Sequence, residues 1–448
     1  MVDRQSLNGS PPARLTPQTM LARPLRERHI GLLPAGPETS HRPIEGIGRR
    51  ARPDLNVAVV STHAPRQCGI ATFSSDLAAA IGESDPGIRI AWAAIHEEQT
   101  AQHPHPSVRW HIQQGMPHTY SDLADSLNQS EIDVVSVQHE FGLYGLWGET
   151  FEDHLAPFLD RIEKPLVTTF HSVVPAPSPT VLAAVRRAGE RSQAVVVMAE
   201  RAKQILETEY GLDPARVHVI LHGVPPVLEA SRREMKQRLG LAGRHVVSTF
   251  GLVDPRKGLE FMIEAMVAVV RDHPDALYVI LGKTHPELVR RAGEGYRAGL
   301  RDLVRANGLK DHVMFVDEYL DQAALVDYLV ASDVYVTPYL DPNQITSGTL
   351  SYALGAGKAI VSTPYAHATE ALADDRGLLV PFRSAAGLAN AVSRILDSEP
   401  LQRTLERNAG RYGSQMAWPV VGARVSDLYR SVVSVGLTGV SIGSQAAS

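Results

Sequence analysis

The feature that most constrains this chain is a rhythm. Short runs of β-branched and aliphatic residues recur along it, separated by helix-length segments that carry an apolar face. From Asn56 the runs are Val57–Ser61, Ile90–Ile95, Val134–Val137, Pro165–Phe170, Ala194–Val197 and Val217–Ile220. Segments such as Phe73–Ile81, Ser121–Leu127, Leu155–Ile162 and Thr180–Gly189 have helical spacing. Runs of four to six apolar residues without polar alternation are strands buried on both faces, and strand–helix alternation builds a parallel sheet. A second series follows Pro225-Pro226, with strands expected at Val246–Phe250, Leu277–Leu281, Val313–Val316, Val334–Val336 and Ala359–Ser362. Its helices are expected at Leu259–Arg271, Pro286–Asn307 and Gln322–Ala331. The fold class is therefore α/β, with two doubly wound, Rossmann-like domains facing across a cleft. Ligands of such sheets bind beyond the carboxyl ends of the strands.

Length and composition agree with that division. A chain of 448 residues exceeds one ordinary core, and 44% hydrophobic with 21% charged residues is a globular mixture. A single cysteine, Cys68, excludes a disulfide framework and any zinc site built on several thiolates. No stretch approaches the roughly 20 apolar residues of a membrane span. Net charge is −5, which gives no general reason to expect nucleic acid as a partner.

The charge is uneven, because residues 1–53 carry nine arginines against four acids, net +5, leaving −10 for the rest. The expected order is a disordered basic leader over 1–54, an N-terminal domain over 55–226 and a C-terminal domain over 227–410. A helix within 411–434 then crosses back, and 435–448 forms a flexible tail. Two readings stand for the leader: an inert extension, or a cationic arm docking on anionic lipid at the inner membrane face, at ~1 kcal/mol per cation. The expected location is cytoplasmic.

Three segments carry chemistry. In Thr346-Ser347-Gly348-Thr349, small polar residues stand where a helix should begin after the strand ending at Val336. A helix start offers unpaired N–H groups and partial positive charge, suited to a phosphate or to sugar hydroxyls, and Gly348 permits close approach. By itself such a cluster is ordinarily only a cap. In Phe250–Gly258, a strand and a tight loop set Arg256 and Lys257 above the sheet's carboxyl edge, where two cations can neutralise a diphosphate leaving group. In the first domain, Thr168-Thr-Phe-His171 and Gln138-His139-Glu140 end neighbouring strands, followed by the glycine-aromatic loop Phe141–Gly145. The turn Arg66–Ala71 holds only Gly69 and is no dinucleotide fingerprint.

Taken in order, Thr-Phe-His171, His222-Gly-Val224, Lys257-Gly258 and Ala353-Leu-Gly-Ala-Gly357 resemble glycosyltransferase family 4, over roughly residues 55–434. The resemblance implies the GT-B architecture and transfer of a hexose from a nucleotide-sugar donor, with retention and without a bound metal or other cofactor. The acceptor it implies is a carbohydrate or glycolipid, as in polysaccharide biosynthesis. On that reading His171, Lys257 and Arg256 are catalytic. Gly69, Gly282, Gln344, Ser347, Gly348, Thr349 and Tyr352 would bind the donor, and His139 and Glu140 the acceptor. Gln344 and Tyr352 stand where family members often show Glu-x7-Glu, and Leu252 where many place an arginine. Three alternatives stand beside the transferase: a phosphorylase on the same scaffold, a non-catalytic protein that binds sugar or nucleotide, and an isomerase that epimerises nucleotide sugars, for which no acid–base carboxylate pair is found.

Overall fold

Alternation within the first strand already fixes a layered structure. Val57 and Val59 pack on one face of it, while Ala58 and Val60 join a separate core on the other. The computed structural model describes residues 53–66, 68–97, 106–227 and 231–440. Nearly all of the expected leader and the last part of the expected tail lie outside the described residues. The first-lobe strands are β1 (Leu55–Ser61), β2 (Ile88–His96), β3 (Val108–Gln113), β4 (Val134–His139), β5 (Gly145–Trp147), β6 (Phe151–Asp153), β7 (Leu166–Phe170), β8 (Ala194–Val197) and β9 (Val217–Val219). Those of the second are β10 (His245–Phe250), β11 (Ala276–Leu281), β12 (Val313–Val316), β13 (Val334–Thr337), β14 (Ala359–Ser362) and β15 (Leu378–Leu379).

Each lobe has one parallel sheet: seven strands in the order β3-β2-β1-β4-β7-β8-β9, and six in the order β12-β11-β10-β13-β14-β15. In both, the order reverses beside the first strand of the lobe. This switch point opens a crevice at the carboxyl edge, where the loops after β1, β4, β10 and β13 converge. In the first lobe, helices Gly69–Ser84 and Trp418–Val440 cover one face, and helices such as Pro117–Asn128 and Pro179–Arg191 the other. The last helix returns from the second lobe. The Arg430 guanidinium grips Asp85 through two bonds of 2.6 and 2.9 Å, and the Tyr429 hydroxyl donates to Ser136 Oγ at 2.8 Å.

Three expectations need correction. The stretch expected as one helix, Pro286–Asn307, is two, Pro286–Ala292 and Gly295–Ala306, broken at Gly293 with φ of 62°. The final helix runs to Val440, six residues into the expected flexible tail. Among the strands, β3, β15 and the antiparallel β5–β6 hairpin were not anticipated. No helix among the described residues is long and apolar enough to cross a membrane.

Candidate active site

The second lobe builds its half of the crevice on two backbone devices. After β10, the Asp254 carboxylate accepts from the Arg256 N–H at 2.9 Å and sets the turn Pro255–Lys257. Gly258 follows in the left-handed region at φ 60°, where a Cβ would lie 2.2 Å from the Pro338 carbonyl oxygen, so only glycine fits. This turn aims Lys257 at the crevice, its ammonium 3.7 Å from the centroid of the Tyr339 ring. Burial, helped by Arg256, pushes the Lys257 pKa down to about 8. The second device is the helix Gly348–Gly355, capped by Ser347 Oγ accepting from Leu350 N–H at 3.3 Å. The Ser347 N–H donates to His367 Nδ1 at 2.9 Å, which leaves that imidazole's proton on Nε2. Tyr339 joins the two devices, because its hydroxyl lies 2.7 Å from Thr349 Oγ1, itself 3.1 Å from Ser347 Oγ.

The two cations of the turn are not equivalent. Lys257 is largely enclosed, whereas the Arg256 side chain is 71% exposed and hydrogen-bonds Asp254 at 2.8 and 3.2 Å. That carboxylate holds the Arg256 pKa up and cancels most of its charge.

Two cavities open between the lobes. One, of about 420 Å³, is lined by Ser172–Pro175 from the first lobe and by Arg256, Lys257, Asp341 and Asn343–Thr346 from the second. Thr346 Oγ1 is buried there without a protein partner. The other, of about 430 Å³, is walled by Phe250–Leu252, Leu281–Lys283, Glu318–Gln322, Leu325, Thr349 and Tyr352, with Gly69 and Thr72 from the first lobe. Across that wall runs a chain of hydrogen bonds: Gln322 Nε2 donates to Tyr352 Oη at 3.1 Å and to Asp76 Oδ2 of the first lobe at 2.8 Å. Burial raises the Asp76 pKa against that bond.

The first lobe contributes uncharged rings. His171 follows β7, with Nε2 3.0 Å from Gln138 Oε1, and its ring meets Phe73 edge-on at 4.8 Å. Phe73 also contacts His222 at 4.9 Å, and His222 Nε2 lies 3.0 Å from where a Cβ on Gly348 would stand. His222 thus abuts the tip of the second-lobe helix. Burial holds the pKa of His171 at about 3 and those of His222 and His367 at about 4, so all three are neutral near pH 7.

The anticipated residues therefore divide. Lys257, Arg256 and Gln344 line the first cavity, while Gly69, Gly282, Thr349 and Tyr352 line the second. Ser347 and Gly348 sit between, the former 3% exposed. Glu140 approaches the first cavity, its Oε2 accepting from Ser172 Oγ at 2.6 Å, and burial raises its pKa against that bond. His139 lines neither cavity. It is 2% exposed in a box of Phe141, Tyr144 and Phe170, with Nδ1 unpartnered. The sequence reading left out Tyr339, Phe73 and His367. Tyr339 carried one usable signal, an aromatic residue two positions beyond a strand end at the carboxyl edge.

Comparison with known proteins accords with this arrangement. The family described as "Glycosyltransferase Family 4" matches residues 69–228, and that described as "Glycosyl transferases group 1" matches residues 243–398, together more than two thirds of the chain. D-inositol 3-phosphate glycosyltransferase of Jonesia denitrificans is 27% identical over 282 residues, which are 58% of this chain and 64% of that protein. Phosphatidyl-myo-inositol mannosyltransferase of Mycolicibacterium smegmatis is 26% identical over 286 residues, 62% of this chain and 68% of that protein. The chain thus spans about two thirds of the length of these relatives. Among solved structures, Anabaena Alr3699/HepE, crystallised with UDP and glucose, superposes with a TM-score of 0.66 at 16% identity, over 84% of this chain and all of that one. A glycosyltransferase from Rickettsia africae gives 0.65 at 14%, over 85% and 99%. With one matched domain on each side of the crevice, the chain belongs to glycosyltransferase family 4 and has the GT-B fold.

Proposed function

We propose that this chain transfers a hexose from a nucleotide-sugar donor to a carbohydrate or glycolipid acceptor, with retention of configuration and without a metal ion. One observation carries the reading: the buried Tyr339 links Lys257, on the wall of one inter-lobe cavity, to Thr349 at the helix tip, on the wall of the other. The donor diphosphate lies against Lys257 and the N–H groups around Ser347–Thr349. The nucleoside occupies the cavity by Tyr352, and the hexose reaches Gln344 and the free Thr346 hydroxyl. As the bond from C1 to the diphosphate oxygen breaks, Lys257 stabilises the developing negative charge. The departing phosphate oxygen takes the acceptor's hydroxyl proton while the new C1–O bond forms on the same face. His171, neutral, positions the sugar without titrating. The size and apolar walls of the Tyr352 cavity favour a nucleotide over the inorganic phosphate of a phosphorylase. A glycosyl- and a mannosyltransferase among the curated relatives support transfer.

The test is a thermal-shift panel of UDP, GDP, ADP and their sugars, followed by turnover with the best ligand in the presence and absence of EDTA. Stabilisation by one nucleotide and EDTA-insensitive transfer are expected. A chain stabilised by none, or one that only consumes sugar 1-phosphate, contradicts the reading.

A further inference from the structure

The β5–β6 hairpin, which follows the glycine-aromatic loop, has no part in the donor site and is built in an unusual way. Trp147 at its tip is 59% exposed and Leu146 beside it 53%. Large apolar side chains so far out of a protein are held there at a cost in solvation and mark a contact surface. Trp147 is not loose: its ring packs on Phe141 at 5.6 Å and on Phe151 at 5.0 Å, and those two meet edge-on at 5.3 Å. The hairpin is pinned at its base, where a Cβ on Gly145 would lie 2.2 Å from the Glu152 carbonyl oxygen. The indole is thus a fixed, flat, solvent-facing plate.

Position and charge say what covers it. The hairpin follows the carboxyl edge of β4 after a one-turn helix, Phe141–Tyr144, and Glu140 at that edge accepts through its carboxylate from Ser172 on the wall of the 420 Å³ cavity. The plate is joined to that edge through Phe141, the residue after Glu140, on which the indole packs. The hairpin itself is acidic: it carries Glu149, Glu152 and Asp153 and no lysine or arginine, although Arg187 of the neighbouring helix lies close to Asp153 and His154 pairs with Glu152. An anionic lipid surface or a phosphorylated headgroup is repelled by such a field. A pyranose without charge suits it, since its C–H face stacks on an indole and its hydroxyls donate to flanking carboxylates.

We propose that the Trp147 hairpin is an acceptor subsite for an uncharged saccharide, holding a sugar ring of the acceptor outside the one that receives the transferred hexose. This rests on the transferase reading above and narrows its acceptor to a neutral glycan end. The decisive experiment titrates the full chain, without donor, with neutral trisaccharides (maltotriose, cellotriose and mannotriose), following tryptophan fluorescence and saturation-transfer NMR. Inositol 3-phosphate and vesicles of phosphatidylcholine with phosphatidylglycerol form the anionic arms. At least one trisaccharide is expected to bind, with affinity independent of salt, at least tenfold weaker in Trp147→Ala and largely kept in Trp147→Tyr. Circular dichroism identifies a misfolded alanine variant, and Glu149→Lys with Glu152→Lys provides a second route by raising affinity for the anionic vesicles. Binding that Trp147→Ala leaves unchanged, or a wild-type preference for the anionic probes, overturns the proposal. A wild type stabilised by nucleotide yet bound by no trisaccharide overturns this subsite alone, whereas one that binds trisaccharide but no nucleotide overturns the donor reading instead.

Discussion

The two walls of the crevice solve opposite problems. The second-lobe wall presents a half-buried ammonium and a helix tip, both suited to negative charge. The first-lobe wall presents imidazoles held neutral by burial and the Glu140 carboxyl group. In the proposed reaction, a group held by the second side leaves as an anion, while one held by the first brings a hydroxyl and gives up a proton. On that proposal, two lobes of the same sheet topology divide a reaction by electrostatics rather than by shape.

The sharpest way to break the comparison is to remove the charge from the anionic side. Lys257→Ala should raise the barrier by about 3 kcal/mol, a loss in kcat above a hundredfold with the identified donor. Wild-type turnover in that variant would remove the second wall's role. Next in size, Gly258→Val forces a branched side chain into a left-handed turn and against the Pro338 carbonyl. It should cost about 2 kcal/mol of stability, read by chemical denaturation, and weaken nucleotide binding with it. Tyr352→Phe removes the partner of Gln322 in the chain reaching Asp76, at about 1 kcal/mol, seen as a lower Tm and a higher donor KM. Arg256→Ala should change turnover less than fivefold, since Asp254 already occupies that guanidinium.

A pH profile sharpens the contrast further. In the proposed role only the protonated Lys257 binds the diphosphate, and its pKa of about 8 lies below that of an ordinary lysine. Affinity for nucleotide should therefore be full below pH 8 and decline as pH rises through it, later in the complex because the bound anion raises the pKa. Between pH 5 and 7 His171 and His222 should contribute no change to the profile, since both stay neutral above about pH 4. A Lys257→Arg variant should lose the alkaline limb.

What could be read from the sequence follows the strength of local signals. Strands buried on both faces, such as Ala194–Val197 and Ala359–Ser362, are largely apolar runs and lie where their pattern put them. Edge strand β3, Val-Arg-Trp-His-Ile-Gln, mixes charge and ring because one side is wet, and β15 is only two residues long. Neither has a pattern long enough to detect. Lys257 and the Ser347–Thr349 cap were legible because turn and cap chemistry are local. The fate of His139 was not: both it and Glu140 end a strand, but the pleat sends adjacent side chains to opposite sides. One enters an aromatic box and the other approaches Ser172. Nor could Asp254 be foreseen as the counter-charge to Arg256, which depends on how a three-residue turn folds back.

The return of the last helix to the first lobe has a mechanical consequence. The chain passes between lobes twice, and the passages are stitched together: Val224 N–H donates to the Met416 carbonyl at 2.8 Å, and Trp418 N–H to the Val224 carbonyl at 3.2 Å. Trp418 then lies against Gly223 so closely that a methyl there would stand 2.0 Å from its ring. Twin tethers fused at one point behave as the spine of a book. The covers can swing apart to admit and release their contents, but sliding or twisting past one another would tear that seam, so each reopening brings the same two pages back into register.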